Sequence, residues 1–306
     1  VFTSKALVRQ GLLYYNGNNN KKALEKFKKT TAQFPNSPDA LEAVANARNV
    51  YIDEGNLDDY VNWIKTLKFI NISNSDLDNT SFAVAEKLYL ESKDGLAIAN
   101  SLQKYIRSFP EGANFIKANY YLADILYRVK EYKQAIVYYE DVLEQEQTEF
   151  SEDSLAKLSE IYLEQERFND ALPLLDRLEQ EAYAVENVLY AQSNLMKGYF
   201  ETNGFDFAID YAKKILAKDK IDKTLENDAK TIIARASFKK EDFLTSEEYY
   251  EVIEREATGE LKAEALYYNA FFKNQQKDFK ESNKVVQKLI ANYSAYKYWA
   301  VKSYVI

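Results

Sequence analysis

Cysteine and histidine are both missing from this chain of 306 residues. Without cysteine there is no disulfide, no thiol nucleophile and no thiolate metal site. That absence is compatible with either the cytoplasm or the periplasm. Without histidine the commonest general base and the commonest metal ligand are gone. Glycine and proline are scarce, at 8 and 4 residues, so the breakers that strands and long loops need are few. No run approaches the roughly eighteen apolar residues of a membrane span. Basic residues are outnumbered, 40 against 48 acidic, for a net charge of −8. Nucleic acid is therefore not expected as a partner, because phosphate binding needs a concentrated basic footprint.

What is present is amphipathic. Apolar residues make up 46% and charged residues 29%. The stretch Asn119–Leu143 shows the pattern most clearly. Leu122, Ala123 and Leu126 recur at helical spacing, then Ala135, Tyr139, Val142 and Leu143 do the same after a turn at Val129–Glu131. Small residues at Ala123 and Ala135 let two antiparallel helices approach to the short end of roughly 8–10 Å. Such a hairpin cannot bury its apolar faces alone, so it should recur.

It does. The place held by Ala135 falls at Ala23, Tyr60, Ile98, Ala135, Ala171, Ala208, Ser246 and Ser282, in steps of 37, 38, 37, 36, 37, 38 and 36. Three residues earlier stands Leu57, Tyr132, Phe168, Phe205, Phe243 or Phe279. Twelve earlier stand Gly11, Ala123, Ser159, Ala234 and Ala270, again small. Eight occurrences this regular predict a repeat architecture. Two places break the rule. Tyr60 and Ile98 are large, and Arg48 falls where the partner of Tyr60 should be small. Overfilling a tight crossing costs roughly 1–3 kcal/mol, so these units should splay or shift register. The polar stretch 71–80 between them is expected to be a softer joint or a long turn. Asn16–Asn20 reads as a turn. Ser37-Pro38-Asp39 reads as a helix start, and Ser151-Glu152-Asp153 reads the same way.

These residues resemble the tetratricopeptide repeat family, whose helix-turn-helix unit has a small residue in each helix, an aromatic entering the second and often a closing proline. Phe34-Pro35 and Phe109-Pro110 supply that close. The resemblance implies an all-α solenoid, a right-handed superhelix of about eight helix pairs, over residues 1–306. Lys297–Ile306 then looks like a truncated first helix of a ninth unit. The chain opens on Val1 and closes on Val305-Ile306, and is read as a piece of a longer protein. The phrase from Phe109 to Ala123 is similar to repeats of bacterial envelope proteins, the outer-membrane assembly lipoprotein and the Tol-associated periplasmic protein. That likeness implies a periplasmic, envelope-associated scaffold.

No catalytic constellation is found, and no cofactor or metal is expected. Glu144, Glu146 and Glu149 read as a solvated face. Glu281-Ser282 is similar to the catalytic pair of lytic transglycosylases, but Ser282 already has a packing role. The expected function is non-catalytic protein binding. Two alternatives stand beside it: the helical arm of a larger envelope enzyme whose catalytic domain lies beyond Ile306, and self-association through the terminal helix. The stripe one residue past each first-helix small place should face the partner groove. It carries Tyr120, Asp124, Tyr127 and Arg128, then Lys197 and Phe200, Arg235 and Phe238, and Tyr267 and Phe271. Aromatics and arginine dominate interface energetics. The ladder of Phe200, Phe238 and Phe271 beside Lys197 and Arg235 would suit an extended peptide with acidic and apolar side chains.

Overall fold

The computed structural model describes residues 2–144 and 147–306, and among these residues there are helices and turns but no strand. Two compact units are present, one running to Ser154 and one from Leu155. The first holds α1 (Phe2–Asn16), α2 (Asn20–Gln33), α3 (Pro38–Asp53), α4 (Leu57–Ile64), α5 (Asn74–Glu91), α6 (Gly95–Ser108), α7 (Phe115–Arg128), α8 (Tyr132–Leu143) and the start of α9 (Ser151–Glu164). The second holds the rest of α9, α10 (Phe168–Glu181), α11 (Val185–Glu201), α12 (Phe205–Leu216) and α13 (Lys223–Lys239). It continues with α14 (Phe243–Glu256), α15 (Gly259–Gln275), α16 (Phe279–Tyr293) and α17 (Lys297–Lys302), closed by a 3₁₀ turn at Ser303–Val305.

Each place in the repeat is the fourth residue of an even-numbered helix from α2 to α16, and all eight residues are buried. The cause is steric. This position faces the preceding helix one turn after the hairpin, where the two backbones are nearest. Gly11 shows how near: a Cβ added there would lie 2.4 Å from the Phe27 ring. Where the place is serine, its hydroxyl finds a partner without leaving the crossing. Ser246 donates to the Ala234 carbonyl and Ser282 to that of Ala270, both at 2.9 Å and both reaching back twelve residues. A buried hydroxyl must be satisfied, and this bond lets serine replace alanine at no polar cost.

The turn five residues before the small place is equally regular. Asn18, Gly55, Lys130, Glu166, Asn203, Glu241 and Lys277 all have φ between 55° and 65°. The next amide then reaches five residues back, as in Asn19 to Tyr14 at 2.8 Å, Glu131 to Leu126 at 2.8 Å and Asp278 to Lys273 at 2.9 Å. This left-handed closure satisfies carbonyls that the helix end leaves open. The third hairpin is the exception. Its turn has no left-handed residue at Lys93. Instead Asp94 caps α6, accepting from Leu96 and Ala97 amides at 3.0 and 3.1 Å, and the larger Ile98 is seated at 2% exposure.

The second hairpin adjusts differently. Its α4 has eight residues against twelve to fifteen in the other even-numbered helices through α16. Tyr60 packs against Tyr51 and Trp63, with ring centroids 5.8 and 6.4 Å apart. Ala47 is fully buried in a cluster with Ala23 and Phe27, against which Trp63 of α4 also packs. The surface under α4 is Val44 and Tyr51. Arg48 keeps a buried Nε without a hydrogen-bond partner. The overfilled hairpin thus has a shortened second helix, whose Tyr60 and Ile64 pack on Val44 and Tyr51.

Two local expectations are corrected. Residues 74–80 are not a long turn but the first turns of α5, because Ser73 and Asp76 form a reciprocal cap: Ser73 Oγ accepts from the Asp76 amide at 3.0 Å, and Asp76 accepts from the Ser73 amide at 3.1 Å. The Ser73 hydroxyl, which donates to the Asp76 carboxylate at 2.6 Å, and then the Ser73 amide hold that carboxyl below its usual range. Ser151 is the first residue of α9 rather than a cap before it, and its hydroxyl accepts from the Thr148 amide at 2.9 Å. Ser37, with Pro38 and Asp39 after it, caps α3 as its sequence predicts. Glu144 and Glu149 are exposed, and Glu146 lies outside the described residues.

A lysine held in the left-handed region costs roughly 1–2 kcal/mol that glycine does not pay, set against glycine's own loss of about 0.5–1 kcal/mol. Lys130→Gly and Lys277→Gly should each raise stability by about 0.5–1 kcal/mol, read as a higher urea midpoint. Lys93→Gly, in the turn without left-handed backbone, should give no gain.

Candidate functional site

The stripe on α7 is largely committed to neighbouring hairpins. Tyr120 donates to Asp153 at 2.7 Å and stacks on Phe150 at 4.7 Å. Burial, then the bond to Asp153, pushes its phenol well above the usual range. Asp124 is 1% exposed. It accepts from the Tyr89 hydroxyl at 2.8 Å and pairs with Arg128 at 2.5 Å. Arg128 also lies over the Tyr89 ring, and Tyr127 packs near Tyr132 at 5.8 Å. The expectation of an exposed Asp124 is therefore corrected: the hydroxyl of the preceding hairpin covers it.

Bonds of this kind recur at a spacing close to one repeat. Ser4 reaches Asp39, Tyr15 reaches Asp53, Tyr121 reaches Glu86, and Tyr211 reaches Asp176 and Glu179. Lysines do the same, with Lys87 on Asp53 at 2.6 Å and Lys288 on Glu254 at 2.7 Å. They tie each hairpin to the next where apolar packing ends.

In the second unit the predicted residues separate into two groups. Phe238, Phe271 and Tyr267 belong to packing. Phe238 meets Phe271 edge-on at 5.4 Å and Tyr268 at 4.7 Å. Tyr267 is 8% exposed, which corrects its expected exposure, because Trp299 covers it at 5.6 Å. Lys197, Phe200 and Arg235 instead line one open cleft of about 560 Å³. Glu166 enters it from the turn before α10, Phe168 from the first residue of α10, Glu201 from the end of α11, and Asp228, Thr231 and Ile232 from α13. A second cleft of about 400 Å³ adjoins it, sharing Lys197 and Asp228 and lined further along by Glu186, Leu189, Tyr190, Asp222 and Leu225. Both run along the first helices α11 and α13.

The charge in these clefts differs from expectation. Lys197 pairs with Asp228 at 2.7 Å. Arg235 forms two bonds to Glu264, at 2.7 and 2.5 Å, and Glu264 is buried. Glu264 also accepts from the fully buried Tyr250 at 2.9 Å, and its bonds raise the Arg235 guanidinium further above its ordinary value. Both cations that were to receive an acidic peptide are thus already occupied. The acids lining the first cleft went unread in the sequence. Thr231, Ile232 and Asp228 stand four, three and seven residues before Arg235, and Glu201 four after Lys197, so helical spacing could have found them. Glu166 comes from a turn and could not be placed in the cleft without the fold, and Phe168 was read only as the residue that opens its helix. Among the described residues there is no group of three or more acidic, histidine or cysteine side chains placed to hold a metal ion.

Successive helix hairpins with small residues at their crossings make an all-α repeat fold. Residues 5–37 match the family model described as tetratricopeptide repeat. No curated protein matches the chain. Among solved structures, a tetratricopeptide repeat protein from Parabacteroides merdae is 13% identical, covering 88% of this chain and 99% of its own, with a TM-score of 0.32. The pilF protein of Pseudomonas aeruginosa is 16% identical over 75% of this chain and 100% of its own, at 0.41. The apo quorum sensor NprR of B. thuringiensis is 12% identical over 87% and 79%, at 0.39. None of the three carries an inference about this chain's partner.

Removing one member of the Arg235–Glu264–Tyr250 set leaves a poorly compensated charge. Glu264→Gln should cost about 1.5–3 kcal/mol, the range for hydrogen bonds to charged groups, measured as a fall in the denaturant midpoint with an unchanged slope.

Proposed function

We propose that this chain is a non-catalytic scaffold that recognises an extended segment of another protein in the cleft along α11 and α13. Tetratricopeptide folds generally mediate contacts between proteins. The observation that supports this cleft is its continuity. Two depressions meet at the Lys197–Asp228 pair, and Phe168, Phe200, Ile232, Leu189 and Leu225 supply apolar surface between polar groups. A concave surface that mixes apolar area with a few placed polar groups is what ligand recognition uses. From Glu186 to Glu201 the helix runs about 22 Å at 1.5 Å per residue. An extended strand of about seven residues has the same length.

Selection from a peptide library displayed on phage tests the reading. Enriched peptides should lose affinity about tenfold or more on Phe200→Ala and on Thr224→Trp, which fills the second cleft from an exposed position. Peptides that bind both variants as well as the parent would remove this cleft as the recognition surface.

An envelope location is part of the proposal and is supported by the phrase from Phe109 to Ala123. No helix among the described residues is long and apolar enough to cross a membrane. Osmotic-shock fractionation of the native cell checks it. Recovery of the protein with the cytoplasmic fraction alone would defeat the assignment.

A further inference from the structure

The chemistry of the occupant can be read from which charges the protein leaves uncompensated. Lys197 and Arg235 are neutralised by Asp228 and Glu264. In the adjoining cleft, Asp222 and Glu186 have structural reasons to be acidic. Asp222 caps α13 through the Leu225 amide at 2.9 Å, and Glu186 lies in the first turn of α11, where the positive helix end favours an anion.

Glu166 and Glu201 have no such reason. Glu201 is the last residue of α11, and Glu166 follows the end of α9 by two residues. Both sit at the negative end of a helix dipole, where a cation is preferred to an anion. Lys130 and Lys277 hold the place equivalent to Glu166 with the favoured sign. Glu241 shares that place but lines neither cleft. Neither Glu166 nor Glu201 has a hydrogen-bonding or ion-pairing side-chain partner among the described residues, and both are exposed. They line the same cleft as Phe168, Phe200 and Ile232. Acids at helix ends also occur away from the cleft, as at Glu164 and Glu241, but Glu166 and Glu201 line one apolar cleft together and leave their charge to whatever enters it.

We propose that the occupant of this cleft is an extended peptide segment carrying lysine or arginine beside an apolar residue, with its cation held by Glu166 and Glu201 and its apolar side chain seated on Phe168, Phe200 and Ile232. The proposal rests on the cleft being the recognition surface. It reverses the sign expected from the sequence, because that expectation treated Lys197 and Arg235 as free. Opposite charge around an apolar floor gives specificity and a faster encounter, and binding should weaken with salt.

Fluorescence anisotropy with two labelled octapeptides, alternating lysine–leucine and alternating glutamate–leucine, tests it on the whole chain. The lysine probe should bind at least about tenfold more tightly than the glutamate probe. Glu166→Gln with Glu201→Gln should weaken it by about tenfold or more and flatten its salt dependence. Asp210→Asn with Glu241→Gln, which removes two exposed charges outside the cleft, should leave it within about twofold. Equal losses from the two double variants overturn the assignment of the cation. So does a preference for the glutamate probe that Phe200→Ala abolishes, although that result keeps the cleft as the recognition surface. If neither probe binds, or Phe200→Ala changes neither, the cleft itself is refuted and the inference falls with it.

Discussion

A hairpin of two short helices has more apolar surface than it can cover by folding on itself. Each hairpin here depends on its neighbour for burial, and the neighbour can come close only where side chains allow it. The fourth residue of every second helix sets that distance. It is alanine where packing is ordinary, and serine where a carbonyl twelve residues back can take the hydroxyl. At Tyr60 the constraint is violated, and the helix that carries it is the shortest of its kind in the first sixteen. The polar links that run from one hairpin to the next lie outside this apolar contact and fix its register.

Much of the framework could be read in advance because it is periodic. Spacing alone located the small places, the aromatic or leucine that opens most second helices, and the turn at Asn16–Asn20. It failed where one local signal outweighed another. Residues 71–80 look like a loop by composition, yet Ser73 with Asp76 three residues later is a helix-start pattern that overrides it. Asp124 looks solvent-facing by its charge, but charge does not reveal that Tyr89, a repeat earlier, lies over it.

The cleft shows the same limit from the other side. Helical spacing identified Lys197, Phe200 and Arg235 as sharing a face, and they do line one space. Spacing says nothing about which charges are spent internally. Arg235 is held by Glu264 from the next first helix, and Lys197 by Asp228 from α13. The electrostatic character of the surface is set by what remains after those pairings, and what remains is carboxylate. A reading that counts cations by position, without their partners, obtains the opposite sign.

The links between hairpins also bear on how such a chain can change over generations. Tyr15 meets Asp53, Tyr89 meets Asp124 and Tyr211 meets Glu179, each matched to one particular successor or predecessor. Excising or duplicating a whole hairpin by unequal crossing-over would keep the small crossing inside each ordinary hairpin. It would nevertheless bring together hydroxyls with no acceptor and carboxylates with no donor at the new junction. The order of the hairpins is therefore written in the polar pairs, and drift by point substitution is open to this protein in a way that shuffling is not.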